Sequence, residues 1–286
     1  MTRVYMFPGQ GSQKIGMGEE LFSAYSEDVE AADAILGYSI RDLCLNGPEE
    51  KLNRTEHTQP ALYVVNALTW RRKLEQDGGA PDFAIGHSLG EYNALLAAGV
   101  FDFATGLKLV RERGRLMGEA RGGSMAAVVG LDTETIESVL RDNNLDSLDI
   151  ANLNAPDQTV ISGPAEAIGR AQPCFEKADA RMFVPLKVSA AFHSRYMTPA
   201  AETFARFLED YSFAAPGCPV IANVTAHPYA DDAVATNLAA QINSAVRWTE
   251  SIGHILDRAP EASFEEVGPG KVLNGLLRKI KAARKG

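Results

Sequence analysis

The stretch Gly86-His87-Ser88-Leu89-Gly90 decides the fold, because it sets a serine between two glycines where two contrasting segments meet. The apolar residues 83–85 predict a buried strand before it, and residues 91–98 predict a helix after it. A strand, G-x-S-x-G and a helix in this order are typical of a nucleophile elbow. Glycine permits the sharp turn, so we expect the serine hydroxyl at its tip. A chance turn is the alternative, and the flanking strand and helix favour the nucleophile.

Two backbone segments near this turn are candidate donors to a substrate oxygen. The N–H of Leu89 lies at a helix start, where it can face an oxyanion. The first predicted strand, residues 3–7, ends in the glycine-rich loop 8–13. A phosphate loop is one interpretation of that segment, but the G-K-[ST] ending is missing. Such a loop can also present backbone N–H groups to a substrate.

The helix predicted over residues 105–117 carries an arginine on its apolar face. Leucine, valine and methionine share one arc of this helix, while most of its charged residues lie elsewhere. Arg113 falls within the apolar arc, and an unpaired buried guanidinium costs several kcal/mol, so it needs an anionic partner. From this pattern alone, a structural ion pair at Arg113, or an extended side chain that reaches solvent, is slightly favoured over ligand binding.

The remaining pattern predicts an α/β fold in two domains. Residues 19–35 carry a helical apolar stripe, and Thr58-Gln59-Pro60 opens a buried helix with the proline in its first turn. Residues 124–188 alternate as βαββαβ, typical of a ferredoxin-like unit. We therefore predict an α/β-hydrolase-like large domain with a parallel sheet and nucleophile elbow, formed by residues 1–122 and 190–286. The inserted ferredoxin-like subdomain covers residues 123–189. Further strands are predicted at 220–224 and 264–267, with helices near 233–244 and 248–257.

Composition excludes several classes of protein. The 286 residues are 45% hydrophobic and 23% charged, with a net charge of −9, so a nucleic-acid partner is not expected. No signal peptide and no membrane-spanning run is visible. Cys44, Cys174 and Cys218 are scattered and are interpreted as reduced packing residues of a cytoplasmic protein, not as metal ligands.

A serine nucleophile needs a base, and the sequence holds five histidines. His87 adjoins the serine and would point away from it in a tight turn. His57, His227 and His254 lie in polar helical or loop contexts. His193 follows the last strand of the inserted unit, so spacing alone makes it one candidate among several.

Six motifs occur together in one order along the chain. They are residues 6–13 (MFPGQGSQ), 58–62 (TQPAL), 86–91 (GHSLGE), 113–114 (RG), 191–194 (AFHS) and 266–270 (EVGPG). In this combination the chain resembles the malonyl-CoA:acyl carrier protein transacylase family, which includes the acyltransferase domains of polyketide synthases. The resemblance covers essentially the whole sequence, and its specificity lies in the combination.

The resemblance implies a role for each residue that matches a family motif. Ser88 is the nucleophile and His193 its base, and the backbone N–H groups of Gln10 and Leu89 form the oxyanion hole. The backbone carbonyl of Gln241 orients the histidine in place of an aspartate.

The resemblance also implies the substrate-binding residues. Arg113 pairs bidentately with the free carboxylate of a malonyl group, which now becomes the preferred interpretation of its pattern. Gln59 is expected near the same site, and His87 shapes the pocket. The implied substrates are malonyl-CoA and the phosphopantetheine thiol of an acyl carrier protein, with the CoA thioester as a substrate and no resident cofactor, metal or membrane partner.

Two departures from the fatty-acid members of the family point to polyketide synthesis. Phe192, directly before the histidine, resembles the pattern of polyketide acyltransferases that choose malonyl, because its ring fills the space of a 2-methyl group. The sequence begins at its first strand without a ketosynthase linker, similar to discrete acyltransferases that act in trans. The alternatives are a fatty-acid transacylase, a hydrolase that clears stalled carrier proteins, and a non-catalytic docking module.

A carrier protein is acidic, so its docking on this acidic chain requires a local basic patch. The candidates are Arg195, beside the predicted active-site loop, and Arg278, Lys279 and Lys281 in the closing helix.

Overall fold

Two four-stranded sheets organise the chain in the computed structural model, which describes residues 2–285. The strands are β1 Arg3–Phe7, β2 Phe83–Gly86, β3 Gly123–Val129, β4 Asp149–Ala155, β5 Gln158–Pro164, β6 Met182–Pro185, β7 Val220–Ile221 and β8 Ser263–Glu266. The helices are α1 Glu19–Phe22, α2 Ser26–Leu36, α3 Ile40–Asn46, α4 Glu49–Leu52, α5 Thr55–Asp77, α6 Gly90–Ala97, α7 Phe103–Glu119, α8 Thr133–Asp142, α9 Ala165–Lys177, α10 Thr198–Leu208, α11 Val234–Gln241, α12 Trp248–Arg258 and α13 Val272–Ala283.

The first sheet has the order β7-β2-β1-β8, and every neighbouring pair of strands is parallel. Side chains of β1 alternate between two apolar clusters, so Tyr5 and Phe7 face one side and Val4 and Met6 face the other. Both faces are therefore buried, as parallel sheets require. Phe7 pairs with Gly86, which brings the segments after β1 and β2 together at one edge.

Close backbone approach at that edge explains the glycines of the elbow. A Cβ on Gly86 would lie 1.9 Å from the carbonyl carbon of Gly90, and one on Gly90 would lie 2.0 Å from the Phe7 oxygen. A Cβ on Gly9 would lie 2.3 Å from the His87 oxygen. The glycine-rich loop and the elbow therefore pack backbone against backbone, which no larger residue would allow.

The second sheet has the order β4-β5-β3-β6 with antiparallel neighbours. On one face, Ala126 and Val128 of β3 pack with residues of α8 and α9 in a separate apolar cluster. On the other face, Met125 of β3 and Val160 of β5 belong to the main core. This small sheet thus covers the active edge of the large one.

Helix α7 presents the arginine that the sequence placed on an apolar face. Asp102 caps the helix by accepting a hydrogen bond from the Thr105 N–H at 2.7 Å, which satisfies a free amide of the first turn. Leu109, Val110 and Arg113 are all buried. The backbone of α7 comes close to α5, which places Arg113 beside Gln59.

Several predicted boundaries were wrong. The stripe over 19–35 is two helices, α1 and α2, separated by residues 23–25. Helix α5 begins at Thr55 instead of Thr58, so Pro60 lies inside the helix and not in its first turn. Because Pro60 is the sixth residue of α5, it has no N–H to donate to the Glu56 carbonyl four residues earlier, and one hydrogen bond of the helix is missing there. Strand β6 ends at Pro185, and β7 spans only Val220–Ile221, because loops at the active edge replace the predicted strand ends.

None of the described helices combines the length and apolar character needed to cross a bilayer.

Candidate active site

Ser88 and His193 meet at the edge where the two sheets face each other. The Ser88 Oγ lies 2.7 Å from the His193 Nε2. Both residues hold left-handed backbone conformations, with φ of 51° at Ser88 and 57° at His193. This conformation is strained for residues other than glycine and is concentrated at functional sites.

The backbone of α11 fixes the ring of His193. Its Nδ1 lies 2.8 Å from the Gln241 carbonyl oxygen, which can only accept, so Nδ1 carries the proton and Nε2 has its lone pair free for the Ser88 hydroxyl. Burial, followed by the positive charge of Arg113, lowers the pKa of His193 to about 3. The ring is therefore neutral at physiological pH, as a general base must be.

Two residues with free backbone amides line the same pocket as the serine. Gln10 and Leu89 both line it together with Ser88. Within residues 2–285, neither amide donates a hydrogen bond to the protein. The packing of Gly9 against the elbow holds the two loops at this spacing. Two free donors beside a nucleophile are the arrangement that receives an oxyanion.

Arg113 lies in the floor of the pocket with only 1% of its surface exposed. One terminal nitrogen donates to Gln59 Oε1 at 2.7 Å. The other donates to Gln241 Oε1 at 2.8 Å and to Ser88 Oγ at 3.0 Å. The guanidinium also lies 5.6 Å from the centre of the Tyr92 ring. Its Nε has no partner among the described residues.

All of these partners of Arg113 are neutral, and no carboxylate of the described chain forms a salt bridge with it. Burial lowers the pKa of Arg113, although arginine stays protonated in proteins. A buried cation held by neutral dipoles remains able to bind an anion. Neither a structural ion pair nor a side chain extended to solvent describes this geometry.

The pocket has a volume of about 110 Å³, and its wall is largely apolar. Phe192, which is 5% exposed, lines it together with Met117 and Met125. The Gln59 Nε2 donates to the Met117 sulfur at 3.4 Å, so the amide that holds Arg113 is itself anchored. A charged floor under an apolar wall suits a short acyl chain with a terminal carboxylate.

His87 lines the pocket but turns away from the serine. Its Nε2 lies 2.8 Å from Asn154 Oδ1 on β4, and its ring packs 5.5 Å from that of Trp248. Burial lowers the pKa of His87. The residue therefore shapes the pocket by connecting the elbow to the small sheet.

Sequence reasoning missed a set of buried polar residues beneath the serine. Glu91 is fully buried, and burial raises the pKa of its carboxyl to about 7. The Asn223 side chain accepts from the Ser88 N–H and donates to the Gly86 oxygen, both at 2.7 Å, which holds the strained turn. A glutamate within the apolar sequence of α6 was the one available signal for this network.

The four residues predicted to dock a carrier do not line the pocket. Arg195 pairs with Asp149, and Lys279 lies 3.0 Å from an oxygen of Asp157. The Lys281 ammonium lies 4.7 Å from the centre of the Phe264 ring. Arg278 is exposed on α13.

A parallel sheet with an elbow serine, a paired histidine and two free amides defines a class of acyl-group enzymes with a serine nucleophile. Residues 4–279 match the model of the acyl transferase domain, and the chain belongs to that family.

Individual relatives cover nearly all of the chain. It is 52% identical to the polyketide biosynthesis malonyl CoA-acyl carrier protein transacylase BaeC of Bacillus velezensis, over 97% of this chain and 96% of the relative. It is 51% identical to the polyketide biosynthesis protein PksE of Bacillus subtilis, of which it spans only 36%. A crystal structure of malonyl CoA-acyl carrier protein transacylase from Burkholderia pseudomallei superposes with a TM-score of 0.96 at 51% identity, covering 99% of this chain and 98% of that one.

Proposed function

We propose that the protein transfers a malonyl group from malonyl-CoA to the phosphopantetheine thiol of an acyl carrier protein through an ester on Ser88. The observation that carries the proposal is the position of Ser88 Oγ, 2.7 Å from a neutral histidine nitrogen and 3.0 Å from a buried guanidinium. The first contact activates the hydroxyl, and the second provides a charge for the acyl carboxylate next to the reacting atom.

The transfer takes place in two matched halves. His193 Nε2 takes the Ser88 proton as Oγ attacks the thioester carbonyl, and the oxyanion lies against the Gln10 and Leu89 amides. Each such donor is typically worth about 3 kcal/mol to the transition state. The tetrahedral intermediate collapses with loss of the CoA sulfur, which takes the proton from His193. The carrier thiol then attacks the seryl ester by the same steps in reverse, so ping-pong kinetics are expected.

The acyl carboxylate supplies the partner that Arg113 lacks in the free enzyme. Once Ser88 is acylated, its Oγ is an ester oxygen, which accepts hydrogen bonds weakly. The Arg113 N–H that donated to Oγ is then free to donate to the acyl carboxylate. Gln59 and Gln241 hold the guanidinium from the protein side. Phe192 closes the wall against a branched acyl chain, and no resident cofactor is needed for any of these steps.

We further propose that the protein acts in trans in polyketide biosynthesis. Both Bacillus relatives carry polyketide biosynthesis in their names. The fatty-acid transacylase remains the second candidate, because it needs the same site. Arg113 disfavours a hydrolase of stalled carriers, since such an enzyme has no use for a carboxylate partner. Three free cysteines support a reducing, cytoplasmic location.

We assign residues 1–122 and 190–286 to a hydrolase-like large domain and residues 123–189 to a ferredoxin-like subdomain, with Met1 and Gly286 outside the described residues. The parallel sheet followed by the elbow supports the first assignment. The order β4-β5-β3-β6, with antiparallel neighbours and a helix on each crossover, supports the second.

The proposal is tested by intact mass spectrometry after incubation with malonyl-CoA. Wild-type protein should gain one malonyl group, and Ser88→Ala should gain none, because it lacks the nucleophile. Addition of a phosphopantetheinylated carrier protein should then move the group to the carrier thiol. An adduct that survives Ser88→Ala, or wild-type protein that stays unmodified, would disprove the assignment. Release of free malonate in place of transfer would instead identify the hydrolase.

A further inference from the structure

A fully buried carboxylate lies beneath the reacting serine without touching it. Glu91 extends from the first turn of α6 and accepts hydrogen bonds from the Tyr229 hydroxyl and the Gln241 Nε2. It also accepts one from the Asn223 backbone N–H at 3.2 Å. All three partners act as donors, so these hydrogen bonds favour the ionised, acceptor-only form of the carboxyl and oppose the burial that raises its pKa.

The Gln241 side chain connects this carboxylate to Arg113. Its Nε2 donates to Glu91 and to the Ser88 carbonyl oxygen at 2.9 Å, and its Oε1 accepts from Arg113 at 2.8 Å. A reversed amide would place its NH2 group against the guanidinium, donor against donor. It would also place its oxygen against two acceptors. The acceptor-only carboxylate of Glu91, together with the Ser88 carbonyl oxygen, thus fixes which end of the amide faces the arginine.

This orientation has a consequence for the bound acyl group. The two amide oxygens of Gln59 and Gln241 hold the guanidinium in place of an ion pair. If one of them became a donor, the guanidinium would be pushed out of its position, and bidentate pairing depends on that position. The negative charge of Glu91 also stabilises the protonated form of Arg113, because it raises the pKa of the guanidinium against the effect of burial.

We propose that Glu91 is a positioning residue for acyl selection, because it sets the amide orientation of Gln241 and thereby aims Arg113 at the acyl carboxylate. This inference rests on the proposed malonyl transfer. A purely structural role would consist of satisfying buried donors of the core. Such a role would lower activity toward all acyl groups alike, whereas positioning of Arg113 lowers activity toward malonyl in particular.

The test compares the ratio of kcat/KM for malonyl-CoA over acetyl-CoA in four variants. Glu91→Gln keeps the shape and lets the Gln241 amide reverse, so the ratio should fall about 10- to 100-fold, the range for losing a hydrogen bond to a charged group. Gln241→Met removes the side-chain link but keeps the backbone carbonyl on His193, and it should lower the ratio similarly. The double variant should be no worse than either single one, because both break the same link.

Tyr229→Phe is the matched control, since it removes a different hydrogen bond to the same carboxylate. Its ratio should stay within about twofold of wild type, as expected for a residue outside the link to Arg113. Acetyl transfer measures whether Ser88 and His193 still work in each variant.

Equal losses toward malonyl and acetyl in Glu91→Gln, or an unchanged ratio, would overturn the proposal. Additive losses in the double variant would also overturn it. Where Glu91→Gln does not fold, Gln241→Met decides alone, and an unchanged ratio there counts against the inference. Failure of the underlying function is recognised separately, because wild-type protein would then form no malonyl ester.

Discussion

Arg113 contacts one member of the catalytic pair and Arg195 lies near the other in sequence, yet their surroundings differ. The Arg113 guanidinium donates to Ser88 Oγ, is 1% exposed and has only neutral partners. Arg195 follows His193 by two residues, its side chain is 60% exposed, and it forms a multidentate ion pair with Asp149. The charge of Arg113 is surrounded by neutral dipoles and is available to bind an anion, whereas the charge of Arg195 is already paired with a carboxylate of the protein.

The comparison separates binding charges from structural ones. A buried cation without an anionic partner carries a desolvation cost that a substrate carboxylate can offset. An exposed ion pair is worth only about 0–1 kcal/mol, so it contributes little either to stability or to selection of the substrate. We therefore expect effects at the two arginines to differ by orders of magnitude.

The largest effect is expected from Arg113→Ala. Loss of the guanidinium should reduce kcat/KM for malonyl-CoA by about 2–5 kcal/mol in transition-state binding, the range for breaking a buried charge pair. Acetyl-CoA should gain relative to malonyl-CoA, because it no longer meets an unpaired charge. The measurement is the malonyl-to-acetyl ratio of kcat/KM in wild type and variant.

Arg113→Lys serves as the matched control for this experiment. It keeps the charge but not the planar fork, so it should recover only part of the malonyl activity. An unchanged malonyl-to-acetyl ratio in folded Arg113→Ala would make the arginine structural and would remove the contrast with Arg195.

A smaller effect of Arg113 should be visible in the pH profile. The pKa of His193 is lowered to about 3, first by burial and then by Arg113, so the base stays neutral well below its ordinary range. Wild-type kcat/KM for acetyl-CoA should therefore show no acid limb from His193 near pH 6.5, the usual value for histidine. Arg113→Ala removes a repelling positive charge, so the pKa rises and the acid limb moves to higher pH.

Burial acts on His193 in both proteins, so the limb of the variant should remain below the ordinary histidine value. Acetyl-CoA is the suitable substrate here, because its acyl group has no carboxylate to pair with Arg113 and its own titration cancels between the two proteins. A wild-type limb at the ordinary value, or a limb that moves to lower pH in the variant, would contradict the electrostatic account.

The parts of the site that follow from local chain geometry were predictable from sequence. The elbow needs its glycines because β1 and β2 end side by side, and the helical spacing of α7 placed Arg113 on a buried face. Spacing alone did not select His193 among five histidines, because its approach to Ser88 depends on how the small sheet closes over the large one. The family resemblance supplied that residue.

Glu91 and Asn223 could not be predicted, because their roles arise from contacts between distant segments. Asn223 reaches the elbow from a loop 135 residues away in sequence, and Glu91 meets Gln241 across 150 residues. A single buried glutamate in an apolar helix indicates a partner but does not identify it. The small corrections at α1, α2 and α5 concern helix ends, which are the part of a helix that a sequence pattern defines least sharply.

The smallest expected effect concerns Arg195 and the carrier protein. Arg195→Glu places a second carboxylate beside Asp149 and adds negative charge two residues after His193. An acidic carrier should then approach less readily, and its KM should rise by about three- to fivefold at low salt, with less change at high salt. Arg170→Glu is the matched control, because it makes the same charge change on α9, which covers the opposite face of the small sheet.

Asp149→Asn tests the same ion pair by changing the partner of Arg195 in place of the arginine itself. It keeps the shape of the pair while removing the anionic hydrogen-bond partner of Arg195, so that its charge becomes more available. If charge availability governs binding, the KM for carrier should fall in Asp149→Asn and rise in Arg195→Glu, both in a salt-dependent way. Equal changes in Arg195→Glu and Arg170→Glu would reduce the effect to net charge. No change in either Arg195→Glu or Asp149→Asn would leave this ion pair with the single role of joining β4 to the segment that follows His193.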